Sequence, residues 1–198
     1  IRYCGAHGKK YKESHLIICH IGGGTSIAAH RNGRMIDSND IMAGDGPMTP
    51  TRSGALPAIP LLKMAFSGRF TEKQLRDRVM KTGGLQDHLG TDDAREVERR
   101  IASGDEEARL VYDAMIYQIA KAVGSCAAAL RGKVDAILLT GGMAKSRYLT
   151  EALTGYVRWI APVEIMAGEF EMEALAAGAV RVLTGQEKAL VYTGQAIW

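Results

Sequence analysis

Apolar residues change their spacing along this chain, and each change marks an element. Residues 16–21, Leu-Ile-Ile-Cys-His-Ile, are a short apolar run rich in β-branched types, which predicts a buried strand. Three glycines follow, and Thr25 to His30 reads as a second strand. Asn32-Gly33 predicts a tight hairpin, because a type I′ turn needs positive φ at both central positions, so Arg34 to Ser38 returns as a third strand. Further on the period lengthens. Val111, Met115, Ile119, Val123, Cys126 and Leu130 recur every three or four residues, one apolar stripe on a long helix that Asp105 caps and Gly132 stops. Val134 to Thr140 predicts a strand apolar on both faces, and Gly141-Gly142 leads into a helix near 146–157. Pro162 to Met166 reads as a last strand, and Glu171 to Leu183 as a last helix closed by Gly185.

The stretch between the third strand and the long helix has a different character. It opens on a Gly/Pro-rich loop, residues 43–50, followed by Thr51-Arg52-Ser53-Gly54. Thr71-x-x-Gln74 is a capping box for a helix running to about Lys81, and Thr91 or Asp92 is placed to cap another that Gly104 ends. The order is therefore β-β-β-(insertion)-α-β-α-β-α, with a core over about 16–39 and 105–185 and an insertion over about 40–104. Three meandering strands and two helix-crossover strands make one mixed five-stranded sheet with helices on both faces. This α/β arrangement is one half of a ribonuclease H-like, actin-like ATPase fold, here read as a single domain over 1–198.

Composition narrows the partners. The chain has 198 residues, 46% apolar and 24% charged, with a net charge of +3, as expected of an ordinary soluble domain. Its densest basic stretches are the pairs Lys9-Lys10 and Arg99-Arg100, too little for a nucleic-acid surface. No apolar run approaches the roughly 20 residues of a membrane span and no signal-peptide pattern opens the chain, so the expected compartment is the cytosol. Cys4, Cys19 and Cys126 cannot close a disulfide set, and Cys4 with His7 lacks the second ligand pair a zinc site needs. The chain opens Ile1-Arg2-Tyr3 without methionine and reads as a piece of something longer.

Three places carry candidate chemistry. In His20-Ile-Gly22-Gly23-Gly24-Thr25-Ser26, glycines between two strands let backbone N–H groups form a nest for phosphate oxygens, and Thr25 and Ser26 add hydroxyl donors. In Leu139-Thr-Gly141-Gly142-Met143-Ala144, paired glycines after a buried strand let a nucleotide lie against bare backbone. Each could be a plain turn, but the topology brings both to one end of the sheet. The third is a pair of arginines in the insertion, Arg52 and Arg95, fixed cations of the kind that phosphoryl transfer requires; on the bland reading Arg95 is a helix-surface residue pairing with Glu98 or with a neighbour of Arg99.

These motifs, with Arg34-Met-Ile-Asp-Ser-Asn, Gly44-Asp-Gly-Pro, Gly90-Thr-Asp-Asp-Ala-Arg-Glu-Val-Glu, Val111-Tyr-Asp-Ala-Met and Glu171-Met-Glu-Ala-Leu-Ala-Ala-Gly-Ala, resemble butyrate kinases in order along nearly the whole chain. Butyrate kinases group with acetate kinases in the acetate and sugar kinase, heat-shock chaperone and actin superfamily. The resemblance implies that His20, Gly22, Gly23, Gly24 and Thr25 form a phosphate loop, that Arg52 and His20 act on the moving phosphoryl group, and that Asp93, Ala94 and Arg95 lie at the nucleotide. It makes Gly141, Gly142, Met143, Ala144 and Lys145 the adenosine loop, and Glu171, or Glu169 where the register is loose, the magnesium-associated carboxylate. It further implies ATP or ADP with Mg²⁺ as cofactors, butyrate or a related branched acid as acceptor, a reversible reaction giving an acyl phosphate, and a homo-oligomer formed through this half.

Two departures stand out. Met48 replaces a bulky aromatic of the family, and the family's first half, with its other phosphate loop, acid-binding residues and a histidine shortly before Ile1, is missing, so this piece alone is expected to be inactive. A carboxylate is already ionised at neutral pH and needs no general base. Two other readings share the glycine loops. A non-catalytic actin-like module has no use for Arg52 and Arg95, and a kinase acting on a sugar hydroxyl needs an aspartate base that this half does not clearly offer.

Overall fold

The alternation of apolar residues decides the two faces of the sheet. The computed structural model describes residues 1–189 and 191–194 and divides into two compact units, 1–168 and 169–198. In the first unit, β1 (His15–Ile21), β2 (Thr25–Arg31), β3 (Arg34–Ser38), β4 (Ala136–Gly141) and β5 (Val163–Ala167) form one sheet of order β3-β2-β1-β4-β5. β1 pairs antiparallel with β2 and parallel with β4, and β4 pairs parallel with β5. Ile17, Cys19 and Ile21 share a face with Ile27, Ala29, Ile137 and Leu139, and that face carries the main core. Leu16, Ala136 and Leu138 turn the other way and are covered by Tyr3 and Cys4 of α1 (Arg2–Ala6).

The main core is closed by α5 (Ala94–Ala102), α6 (Glu106–Ala129) and α7 (Arg147–Val157). On α6, Met115, Ile119 and Val123 are fully buried and Cys126 nearly so, as is Leu130 at its end, while Val111 is half-buried. Asp105 caps α6 by accepting from the Ala108 N–H at 2.9 Å, and Arg131 and Gly132 end it with φ of 55° and 70°. The hairpin turn is also as expected, with φ of 53° at Asn32 and 78° at Gly33. The strands and long helices lie within a residue or two of their expected bounds.

The insertion holds more structure than its composition suggests. α3 (Glu72–Met80) has the expected capping box from Thr71 and Gln74. α5, however, is capped by Asp93, not by Thr91 or Asp92. The Asp93 carboxylate accepts from the Arg95 N–H at 2.9 Å, whereas the Thr91 hydroxyl is spent on Glu96. α2 (Ala58–Ala65) and α4 (Leu85–Leu89) were not expected. Pro57 and Pro60 make the start of α2 look like loop, yet a proline in a first turn costs little because those N–H groups have no intrahelical acceptor. The second unit contains α8 (Glu171–Leu183), with the expected bounds, and an ion pair of Arg181 with Glu187 at 2.8 Å.

Candidate functional site

β1 and β4 run parallel, so their carboxyl ends reach the same sheet edge; His20 lies opposite Thr140, and the two glycine turns begin side by side. Beyond that edge opens a cleft of about 640 Å³. Its lining includes Gly23 from the first turn, Asp93, Ala94 and Arg95 from the start of α5, and Gly142, Met143 and Lys145 from the second turn. Three separate stretches of chain thus meet around one space.

The two turns need their glycines for different reasons. Gly141 has φ 91° and ψ 172°, and a Cβ there would lie 2.4 Å from the Ile21 carbonyl oxygen, so bare backbone packs on bare backbone. Gly23 has neither a left-handed φ nor any atom within 4 Å of where a Cβ would stand. The fold leaves that space open on the cleft wall. Gly22 donates to the Gly24 carbonyl at 3.1 Å, so one of the loop's three N–H groups closes the turn on itself rather than serving an anion.

Arg52 lies over Gly24, where an added Cβ would be 3.1 Å from the guanidinium carbon. The turn from Thr49 to Arg52 places it. Thr49 Oγ1 donates to the Gly23 carbonyl at 2.7 Å and accepts from the Arg52 N–H at 3.1 Å, and Thr51 Oγ1 adds a second donor to Gly23 at 3.3 Å. Gly84 backs this turn: with φ 63°, a Cβ there would overlap the Thr49 carbonyl oxygen at 1.8 Å. The guanidinium is held by the Ile41 carbonyl at 2.5 Å. The insertion is therefore fastened to the first glycine turn and carries its arginine there.

Arg95 pairs with Asp93 rather than Glu98, Nε to Oδ1 and Nη2 to Oδ2, both at 2.9 Å. The hydrogen bonds from the Arg95 side chain and its backbone N–H hold the Asp93 carboxyl at about 2. Glu98 instead faces the α6–α7 side of the cleft. Its Oε1 accepts from the Tyr112 hydroxyl at 2.7 Å and from Ser146 Oγ at 2.6 Å. Ser146, the α7 cap, also accepts from the Leu149 N–H at 3.0 Å. Burial pushes the Tyr112 phenol up, and Tyr148, beside it, is raised to about 12 by burial and by its 2.8 Å bond to Asp113.

Some expected residues lie elsewhere. Thr25 is 2% exposed on the α6-facing side, its hydroxyl unpartnered, so it does not offer a donor to the cleft. Ala144 is buried and supports its turn from below. His20 lies on the opposite sheet face from the main core, its Nδ1 3.1 Å from Thr140 Oγ1, and is not among the lining residues. Glu169 and Glu171 belong to the second unit.

Residues 3–156 match the family described as acetokinase. The chain belongs to the acetokinase family. A protein named probable butyrate kinase from Clostridium botulinum (strain Alaska E43) is 47% identical over 191 residues, covering 96% of this chain and 54% of the relative. One of the same name from Bacteroides thetaiotaomicron is 46% identical over the same shares. Among solved structures, the acetate kinase of Porphyromonas gingivalis superposes with a TM-score of 0.84 at 26% identity, over 92% of this chain and 52% of that one. The chain spans about half the length of the curated relatives it matches. Within this acetokinase chain, three site residues escaped the sequence reading. Thr49 and Glu98 act through contacts distant in sequence, and only the doublet Gly83-Gly84 hinted at the backing of the arginine turn.

Proposed function

We propose that this chain is the nucleotide-binding part of an enzyme that transfers a phosphoryl group from ATP to a short-chain carboxylate, butyrate or a related branched acid, giving an acyl phosphate reversibly. The observation that carries the reading is the meeting of Gly23, Asp93–Arg95 and Gly142, Met143 and Lys145 around one cleft, with Arg52 laid over the adjoining Gly24. The acceptor is an anion attacking an anion, so the chain's task is positioning and charge neutralisation. The nucleotide lies along the cleft with its phosphates toward the Gly22–Gly24 turn. Arg52 spreads positive charge over the equatorial oxygens of the moving group, and His20 stands at the same turn. Gly141 and Ala144 shape the adenosine loop, and Thr25 supports the phosphate turn from within the core.

Among the described residues no cluster of three or more His, Cys, Asp or Glu could hold a metal ion by itself. That fits Mg²⁺, which commonly binds through one or two carboxylates plus substrate phosphates. Glu171, or Glu169, is the proposed carboxylate, and the ion would offset phosphate charge. Ile59 and Leu62 on α2 and Phe66 just after it are 63%, 50% and 86% exposed, which supports assembly into a homo-oligomer through this half. Three buried cysteines with free thiols agree with a reducing cytosolic setting.

The test is acyl phosphate trapping with hydroxylamine on the full-length enzyme, offering butyrate, isobutyrate, acetate and glucose with MgATP. Hydroxamate from the carboxylates supports the reading. ADP release with glucose and none with the acids would overturn it.

A further inference from the structure

Glu98 is the one acid on the cleft wall whose carboxylate is aimed by two fixed donors from beneath. Oε1 is filled by Tyr112, which is fully buried, and by Ser146, whose hydroxyl oxygen is also held by the Leu149 N–H. Asp93, by contrast, spends both oxygens on Arg95. Among the described residues no donor is recorded for Glu98 Oε2, yet Glu98 lines the space between the start of α5 and the Gly142–Lys145 turn. An acidic group there repels phosphates, which belong at the Gly23 and Arg52 end. What it can bind is a neutral hydrogen-bond donor, and the nucleoside end of a nucleotide carries such donors on its ribose hydroxyls and its exocyclic amine.

We infer that Glu98 is a specificity residue of the nucleotide cleft, accepting a hydrogen bond at Oε2 from a ribose hydroxyl or the adenine amine. The inference rests on the nucleotide reading above. A site built around an acceptor discriminates strongly against an analogue lacking the matching donor, because a buried polar group is then left unpaired. Glu98 also ties α5 to the α7 cap, so a merely structural role must be told apart from recognition.

Analogue binding makes that distinction. Calorimetric titrations of this chain would use the magnesium complexes of ADP, IDP, 2′-deoxy-ADP and 3′-deoxy-ADP, with pyrophosphate as a phosphate-end probe. The wild-type protein is expected to bind one analogue roughly tenfold or more weakly than ADP: IDP if the amine is read, a deoxy nucleotide if the ribose is. In Glu98→Gln, Tyr112 and Ser146 hold the amide oxygen, so the NH₂ faces the ligand. A base-reading site then comes to prefer IDP, whose exocyclic 6-oxo group accepts. A ribose-reading site keeps only a few-fold penalty for the missing hydroxyl. Pyrophosphate affinity stays unchanged in either case. Wild-type affinities within twofold of one another for all four nucleotides overturn the inference, as does an equal loss for all of them in Glu98→Gln. If wild type binds none of the nucleotides, the cleft reading fails first and the inference with it.

Discussion

Exchanging single glycines for alanine separates what the fold needs from what a ligand needs. Gly141→Ala forces a side chain into a conformation, φ 91° and ψ 172°, that is essentially reserved for glycine. It also sets the methyl 2.4 Å from the Ile21 carbonyl oxygen. The backbone strain costs about 1–3 kcal/mol, and relieving the overlap with main chain that cannot rotate away costs a further 1–3 or so. A loss of roughly 2–6 kcal/mol is a large share of the ~5–15 kcal/mol that holds a domain together. With a urea slope of about 1–3 kcal/mol per molar, the midpoint should fall by on the order of 1 M or more. Gly23→Ala meets nothing within 4 Å and has no left-handed φ, so its urea midpoint should match wild type. Its methyl instead occupies the cleft wall, and crowding a bound phosphate by about 1–3 kcal/mol weakens MgADP roughly five- to 150-fold. Urea melts followed by circular dichroism, paired with calorimetric MgADP titration, measure both quantities. A Gly23→Ala protein as unstable as Gly141→Ala, or one binding MgADP as tightly as wild type, would refute the reasoning.

In the full-length enzyme, Arg52→Ala should lower kcat by something on the order of 10³-fold while changing the ATP KM much less, and lysine should rescue only part of it for want of the planar fork. A loss carried wholly by KM would make Arg52 a binding residue. Asp93 contributes through a carboxyl held at about 2, below its ordinary value of 3.8, so its stabilisation is complete above about pH 4 and is lost as pH falls toward 2. Urea midpoints measured from pH 5 to 2 should therefore drop less steeply for Asp93→Asn, and parallel curves would count against that pairing. Tyr112→Phe strips one donor from Glu98 inside the core and should cost about 1–2 kcal/mol in the same melts. The 198-residue chain by itself should fold yet give no hydroxamate above background, since half a cleft forfeits the positioning on which transfer depends; turnover at ordinary kinase rates would mean that the acid site lies within it.

The sheet was legible because β1 and β4 are short apolar runs, Asn32-Gly33 turns β2 into β3, and helix crossovers make the last pairings parallel. The α6 stripe was legible from its apolar residues at the helical period. The insertion was legible only through its caps, which announced α3 and α5: α2 contains no buried residue and is disguised by its prolines, and α4 is only five residues long. At the site, glycine turns and arginines could be picked out as residue types, but their partners could not. Whether Arg95 met Asp93 or Glu98 depended on a cap one residue away from the expected one. That Thr25 is withdrawn into the core follows from its register opposite Ile21, which placed it on the α6 side of the sheet.

Because Gly141 rests on the main chain of Ile21, the gap between the two glycine turns is measured in backbone atoms alone. Side-chain substitution elsewhere can reshape the walls of the cleft but has no grip on that separation, which works as a fixed gauge. Arg52, reaching the same edge from the insertion, stands outside the gauge, at the end of a lever fastened through Thr49. Sequence drift in the insertion can therefore move Arg52 along the cleft edge while the spacing between the two glycine turns stays constant.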